Sequence, residues 1–325
     1  MLLVTGGAGF IGSNLVAALT TDGCEVAVCD TIDDDSKRDN LAKHGIAELV
    51  APAAFLPWLF DDAGGIEAVF HMGAISATTA TDEEALYQTN VRLPLAIWDW
   101  CAEHGVPLIY ASSAATYGDG AQGFDDDPAK LGTLAPLNLY GRSKQEFDLE
   151  VMRRIAAGAP TPPHWAGLKF FNAYGPNEYH KGGQQSLVPQ LYRQISETGR
   201  ARLFKSHNPD YEDGGQKRDF IWVGDCVEVM LWLWRQPGRS GIYNCGTGTA
   251  RTFKDLALAV FAAMGREPVI DYVPTPEAIR NQYQYFTEAR MDRLRAAGYD
   301  RPFTALEDGV GRYVRDFLAT NDPFA

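Results

Sequence analysis

The chain opens on MLLVTGGAGFIGSN, Met1 to Asn14, and the reading of that stretch decides the fold. Leu2–Thr5 is a short apolar run of strand type, and Ile11–Leu19 carries helical period. Between them stand Gly6, Gly9 and Gly12, one at every third position. Gly6 permits the tight turn, Gly9 lets the backbone approach a pyrophosphate, and Gly12 lets the helix pack closely on the strand. The pyrophosphate then rests on free N–H groups and the positive end of the helix. An accidental glycine-rich turn would not need a strand before it and a helix after it.

Working outward, Asp30 ends a second strand-like run, Glu25–Cys29, where a carboxylate binds the adenosine ribose hydroxyls. That residue favours NAD. Lys37 and Arg38 follow closely and read either as a solvated helix start or as charges that neutralise a 2′-phosphate, so NAD and NADP both stay open. Further strand-like runs are Ala68–His71, Pro107–Ser112 and Gly167–Phe171, separated by the helical stretches Ala85–Cys101 and Lys144–Ala156. The alternation predicts an α/β fold, a Rossmann-type doubly wound parallel sheet. Residues 1–171 read as the dinucleotide-binding domain, completed by part of 218–250, and 172–325 as mainly a smaller α/β substrate domain. In that second part Gly241–Asn244 and Val269–Tyr272 read as strands, and Asp225–Arg235, Phe253–Met264 and Leu306–Leu318 as helices. Lys205–Lys217, a polar glycine-containing stretch, reads equally as a solvated surface loop or a substrate lid.

The second chemical signal is Tyr140-Gly141-Arg142-Ser143-Lys144. At i and i+4 on a helix, Tyr140 and Lys144 share a face, and an ammonium can lower a phenol's pKa from about 10 toward neutrality. Such a phenol is a usable base, and the lysine can also hold a nicotinamide ribose. Ser112-Ser113-Ala114-Ala115-Thr116-Tyr117-Gly118 closes a parallel strand, the end at which these sheets place their chemistry. A hydroxyl there, Ser113, would bond the substrate oxygen that becomes a carbonyl.

Composition narrows the partners. Lys+Arg 29 against Asp+Glu 42 gives a net charge of −13, which argues against nucleic acid or an anionic membrane as main partner. No apolar run is long enough to span a bilayer, and no secretory signal is read at the start. Cys24, Cys29, Cys101, Cys226 and Cys245 lack a CxxC pair and read as reduced, buried thiols of a cytoplasmic protein. The histidines show no ligand spacing, so no metal is expected.

Together the glycine loop, the YxxxK pair and the Ser113 turn resemble the extended short-chain dehydrogenase/reductase superfamily. FHMGAISATT, PLNLYGRSK, FFNAYGPNEYHKG, KRDFIWVGD, GIYNCGTGTARTF, QYQYFT and LRAAGYDRPF follow in order along the chain. This series resembles the ADP-L-glycero-D-manno-heptose 6-epimerase family. The His180-Lys181 peptide and QYQYFT separate that family from the 4-epimerases.

The resemblance implies an isomerase that inverts C6″ of a nucleotide-linked heptose. It would do so by transient oxidation to a 6″-ketone and re-reduction on the other face, with NADP as cofactor. Phe10 and Ile11 would line the cofactor loop, Asp30 and Thr31 would take the adenosine ribose, and Lys37 the NADP phosphate. Met72, Gly73, Ala74, Ile75 and Ser76 would lie along the cofactor, supported by Asn90. Tyr140 would be one acid/base, with Lys144 its partner and Ser113 positioning the substrate. On its own residues Lys181 reads as an exposed loop lysine; the resemblance makes it the second acid/base, also touching the cofactor. Asn172 would face the substrate and Ala173 the cofactor. Phe204, Lys205, Ser206, His207, Arg218 and Tyr283 would hold the nucleotide and sugar, Arg218 as a diphosphate clamp. Gly183 and Gln190 stand at substrate positions where the family has Ser and His, and Pro52 where it has a second cofactor lysine. A homo-oligomer, a pentamer by resemblance, and a lipopolysaccharide-core role complete what is implied. A 4-epimerase of UDP-hexoses is the competing enzyme reading. A 4,6-dehydratase is disfavoured because Ala114 and Ala115 offer no acid after Ser113. A dinucleotide-binding redox sensor would not need Tyr140, Lys144 and Ser113 together.

Overall fold

The computed structural model describes every residue except 33–34, 62–63 and 281–283. Strands β1 (Leu2–Thr5), β2 (Val26–Cys29), β3 (Glu48–Val50), β4 (Ala68–His71), β5 (Leu108–Ser113) and β6 (Trp165–Phe170) are followed by β7 (Asn172–Tyr174), β8 (Ala201–Phe204) and β9 (Lys217–Trp222). The last are β10 (Gly241–Cys245), β11 (Ala250–Thr252) and β12 (Ile270–Val273). The longer helices are α1 (Phe10–Thr21), α2 (Phe55–Asp61), α3 (Leu93–His104), α4 (Leu139–Ala156), α5 (Leu187–Thr198), α6 (Val223–Trp234), α7 (Phe253–Ala263) and α8 (Leu306–Arg312).

A parallel sheet runs β3-β2-β1-β4-β5-β6-β10. Its strands are apolar on both faces because both faces are covered. Leu2 and Val4 enter a core with α1 and α6, whereas Leu3 enters another with α2, α3 and α4. The order reverses at β1, so β1 and β4 send their chains apart and open a crevice at their carboxyl ends. β10 returns from residue 241 to pair with β6.

The second lobe holds its own core between α5, α7 and α8. A small sheet, β7-β9-β11, and a parallel pair, β8-β12, rim it. β7 follows β6 after a single residue, so the rim begins where the large sheet ends. Among the described residues no helix is long and apolar enough to cross a membrane.

Three sequence expectations need correction. Ala85–Cys101 is not one α-helix: a wide π turn over Gln88–Arg92 interrupts it and carries Asn90, whose amide bonds outside the helix. Leu306–Leu318 likewise passes into a π turn after Arg312. Of the cysteines four are buried, but Cys24 is only half-buried. The edge strand β3 and helix α2 went unread because they are short.

Candidate active site

The crevice is built from backbone that tolerates no side chain. A Cβ on Gly12 would overlap the Gly6 carbonyl oxygen, and one on Gly6, at φ +66°, would meet the Gly73 nitrogen at 2.5 Å. Gly9 caps α1 with no side-chain bond, so the first amides of the helix, at Phe10, Ile11 and Gly12, face the crevice as donors. This cradle fits the diphosphate of a dinucleotide. Beside it Asp30 takes the amides of Ala8 at 2.9 Å and Thr31 at 2.7 Å, and its Oδ1 also holds Lys37 Nζ at 2.9 Å. Arg38 instead pairs with exposed Asp35 at 2.6 Å. An apolar slot of about 590 Å³, lined by Ile32, Leu49, Ala51 and Pro52 among others, adjoins Asp30.

On the other side of the crevice, Met72, Gly73, Ala74, Ile75 and Ser76 leave β4. Met72 N donates to Thr5 O at 3.0 Å, and Gly73 N to Thr5 Oγ1 at 3.3 Å. Thr5 Oγ1 also pairs with His71 Nδ1 at 2.7 Å. Burial pushes the His71 ring down to about 3, so it stays neutral, while the Lys144 charge lowers it further. Asn90 clamps Ile75 through N–H and C=O bonds, both 2.9 Å, and donates to Ser143 Oγ at 2.9 Å. Ser143 in turn donates to Tyr140 O, so Asn90 ties the β4 loop to α4.

α4 starts where Asn138 caps Gly141 N at 2.8 Å. It can close on the turn after β5 because Gly141 has no Cβ, which would lie 2.7 Å from Ala115 O. Tyr140 thereby comes beside the Ser113 hydroxyl, which stabilises its ionised form. Ser113 Oγ also takes Ala115 N at 3.1 Å. Lys144 Nζ donates to Ala111 O at 2.8 Å, and burial brings it down to about 8, against the opposing charge of Asp148. The expectation that Lys144 draws the Tyr140 phenol toward neutrality is corrected: burial raises the phenol and the Ser113 hydroxyl only offsets it, so Tyr140 carries its proton.

Lys181 lies in a short turn, Tyr179–Gln184, with its ammonium 5.2 Å from the Phe10 ring centroid. Burial lowers its pKa and Glu178 opposes that. Lys181 is therefore a half-buried cation against the cofactor loop rather than an exposed loop lysine. Gly183, exposed, is in the same turn, and Gln190 is turned onto Gln185 O and Ser186 O at the start of α5. Ala173 N bonds Phe171 O at 2.8 Å, while exposed Asn172 takes Thr287 Oγ1 at 3.4 Å.

The remaining residues cluster on the rim. Phe204 ends β8; Lys205 and His207 are exposed, and Ser206 is half-buried. Lys205–Lys217 is folded rather than loosely solvated: Ser206 N bonds Asp213, His207 N bonds Tyr285 Oη at 3.0 Å, and Tyr211 packs on Tyr285. Arg218 is buried on Phe253 and donates to Lys217 O at 2.8 Å and Gln284 O at 2.5 Å. Gln284 also bonds Gly118 O, which links Arg218 to the turn carrying Ser113. Tyr283 lies outside the described residues.

Two groups behind the site were missed. Asp148 and Lys169, both fully buried, pair at 2.8 Å beneath Lys144. Asp148 follows Tyr140 and Lys144 at the same four-residue spacing, so the helix face was readable. Glu178, also fully buried, has no periodic signal.

Residues 2–246 match the model of the NAD dependent epimerase/dehydratase family. The chain is 51% identical, over all of both chains, to an ADP-L-glycero-D-manno-heptose-6-epimerase from Nitratidesulfovibrio vulgaris (strain DP4). It superposes on a Helicobacter pylori ADP-L-glycero-D-manno-heptose-6-epimerase with TM-score 0.82 and 26% identity, covering 98% of this chain and 96% of that one. A Thermus thermophilus UDP-glucose 4-epimerase, solved with NAD, gives TM-score 0.73 and 27% identity, covering 95% and 96%.

Proposed function

The chain belongs to the NAD dependent epimerase/dehydratase family, and from that premise we propose that it interconverts the C6″ epimers of ADP-D-glycero-D-manno-heptose and ADP-L-glycero-D-manno-heptose. The full-length likeness to a curated 6-epimerase supports the substrate. What supports the mechanism is that the crevice carries two separate ionisable groups. Tyr140 stands beside Ser113 on the sheet side, and Lys181 lies over the Phe10 ring from the second lobe.

When bound, the nicotinamide dinucleotide supplies a hydride acceptor and donor at C6″, with no net redox change. Gly6, Gly9 and Gly12 hold its diphosphate, and Asp30 and Thr31 its adenosine ribose. NADP is the reading preferred over NAD, with Lys37 exchanging the Asp30 carboxylate it holds at 2.9 Å for a 2′-phosphate. Lys144, held on Ala111 O, orients the nicotinamide ribose and faces Tyr140. With the cofactor held on one side of the crevice, inversion would require the sugar to turn, so that the C6″ oxygen meets a different protein group in each orientation. In the oxidising half the hydroxyl proton would pass to whichever of Tyr140 Oη and Lys181 Nζ is unprotonated; after the turn the other, protonated, would return a proton to the oxygen, with Ser113 Oγ steadying it on the Tyr140 side. Arg218, Phe204, Lys205, Ser206, His207 and Tyr283 hold the ADP end, and Asn172, Gly183 and Gln190 border the sugar. The 1–171 unit with part of 218–250 carries the cofactor, and 172–325 mainly carries the substrate. Free thiols suit a reducing cytoplasm. A homo-oligomer, pentameric by resemblance, and a lipopolysaccharide-core product belong to the same reading.

The test is NMR of the product formed from ADP-D-glycero-D-manno-heptose, beside a coupled assay with UDP-glucose. Epimer formation from the heptose alone is expected. Turnover of UDP-glucose in its place refutes the assignment. Tyr140→Phe and Lys181→Met should each lose at least 100-fold in kcat, by the usual worth of acid/base groups of ~10²–10⁴; wild-type turnover in either removes that residue from the mechanism.

A further inference from the structure

Lys181 sits on a turn rather than at the end of a strand, so something must fix it. The peptide before it is pinned from three directions. Asn177, at φ +71°, donates through Nδ2 to Ser13 Oγ on α1 at 3.0 Å. Its carbonyl takes Asn40 Nδ2 at 3.1 Å, and the same Asn40 amide holds Ala8 O of the glycine loop at 2.8 Å. Its Oδ1 takes Ala325 N at 2.9 Å, which draws the 320–325 segment over the turn. There Tyr179 packs edge-on against Phe324 at 5.3 Å and donates to Pro323 O at 2.9 Å.

Glu178 comes next. Its carboxylate is fully buried and accepts from Ser186 N, from Ser186 Oγ at 2.7 Å and from Tyr313 Oη at 3.1 Å. Lys181 N donates to Glu178 O at 3.1 Å. Side chain and backbone of one residue therefore close both ends of the turn that carries Lys181. A neutral side chain could make comparable hydrogen bonds at a lower desolvation cost, so a buried carboxylate here needs a use for its charge. Burial raises the Glu178 carboxyl and lowers Lys181, and the charge of each opposes the shift of the other.

We propose that Glu178 is a positioning residue for Lys181: it closes the 178–186 turn on Ser186 and Tyr313 and holds the Lys181 ammonium, proton attached, against Phe10 at the crevice mouth. This rests on the reading of Lys181 as the second acid/base. The other titratable groups around the turn include Tyr179 and His180 on the turn itself, Tyr313 from the π turn and Arg193, which donates to Gln185 Oε1 at 2.9 Å. The pairs Lys43–Asp322 and Lys37–Asp30 are already internally neutral.

Glu178→Gln is the informative variant. Its carbonyl can keep Ser186 N, and its amide can donate to the two hydroxyls, which rotate to accept. The expected result is that the limb of the kcat–pH profile that Lys181→Met abolishes moves about one unit toward lower pH, from the loss of a nearby opposite charge. KM should stay within twofold, and the same change in a Lys181→Met background should have no further effect on kcat. Ser186→Ala, which keeps the charge and loosens the turn, should lower kcat several-fold without moving the limb. Should Glu178→Gln fail to fold, ¹³C-dimethyl titration of Lys181 in Ser186→Ala and wild type must still give one common pKa. A Glu178→Gln profile that superposes on wild type while Lys181→Met is impaired overturns the proposal alone, as does an equal kcat loss with and without Lys181. Wild-type turnover in Lys181→Met overturns the proposal together with the acid/base reading beneath it.

Discussion

Breaking the buried ion pair under the site should destabilise the protein more than removing both its charges. Lys169 Nζ donates to Asp148 Oδ2 at 2.8 Å and to Thr116 Oγ1 at 2.8 Å, with both pair members at 0% exposure. Lys169→Met leaves the carboxylate with Ser112 Oγ at 2.7 Å and Tyr110 Oη at 3.2 Å and no cation in contact, Lys144 acting on it only from a distance. An uncompensated buried charge of this kind costs about 3–5 kcal/mol. Adding Asp148→Asn removes the charge and leaves a group that can still bond both hydroxyls. The loss for the double variant should then fall to about 2 kcal/mol, set by the weakened bonds to Thr116 and Tyr110.

The sign is the sharp part: the second substitution restores stability. Urea titration followed by tryptophan fluorescence reads it, since Trp98 and Trp165 pack at 5.2 Å in the same core layer. Thr116 Oγ1 also donates to Ser113 O at 2.8 Å, so kcat should fall in the single variant and recover in part in the double. If the double variant is less stable than Lys169→Met by the full cost of Asp148→Asn, the pair is not coupled and the reasoning fails.

Gly12→Ala should abolish dinucleotide binding, because α1 would have to retreat from Gly6 by roughly 1 Å to admit the methyl group, stretching every bond to the diphosphate. Gly45→Ala, with open space around it, is the control, and fluorescence titration that finds equal affinity in both contradicts the cradle. Lys144→Met should raise the urea midpoint at pH 7 while eliminating turnover. The folded pKa of about 8 lies below that of the unfolded chain, so the unfolded state binds more protons between the two values and wild-type stability rises with pH across that window. The buried ammonium thus costs on the order of 3 kcal/mol at neutral pH, a cost the variant escapes; a lower midpoint would show that its bond to Ala111 O outweighs burial. Lys37→Ala should weaken NADP about tenfold and leave NAD nearly unchanged, measured by isothermal titration; equal losses for both would remove the 2′-phosphate contact.

The parts legible in the sequence were those whose physics is local. A strand, three glycines and a helix occupy the first 21 positions, and each glycine answers to a neighbour a few residues away or to the facing β4 loop. Tyr140, Lys144 and Asp148 share a helix face by spacing alone. What spacing could not give is the balance of burial against charge. The phenol of Tyr140 goes up rather than down because desolvation outweighs any cation near it, and desolvation depends on residues from β5, α4 and the rim packing together. The split of Ala85–Cys101 has the same origin, since a π turn lets Asn90 reach Ile75 and Ser143, partners that helical period does not encode.

The two proposed proton carriers differ in how the chain places them, and that difference explains why spacing marked Tyr140 while Lys181 came only from the family resemblance. Tyr140 inherits its position from the sheet: β5 fixes Ser113, Gly141 lets α4 close on the turn after it, and the hydroxyl follows. Lys181 inherits nothing of the kind. Its turn is tied to the cofactor loop through Asn177 and Ser13, residues 164 apart in sequence, and to the far end of the chain through Asn177 and Ala325, 148 apart. Ties at such separation leave no periodic trace. Yet they give the turn contacts with both α1 and the second lobe, through Asn177 and Ser13 on one side and Glu178 and Tyr313 on the other. The proposed turning of the sugar between two proton carriers would be served by that arrangement: Tyr140 is held by the sheet, and Lys181 by a turn that both lobes position.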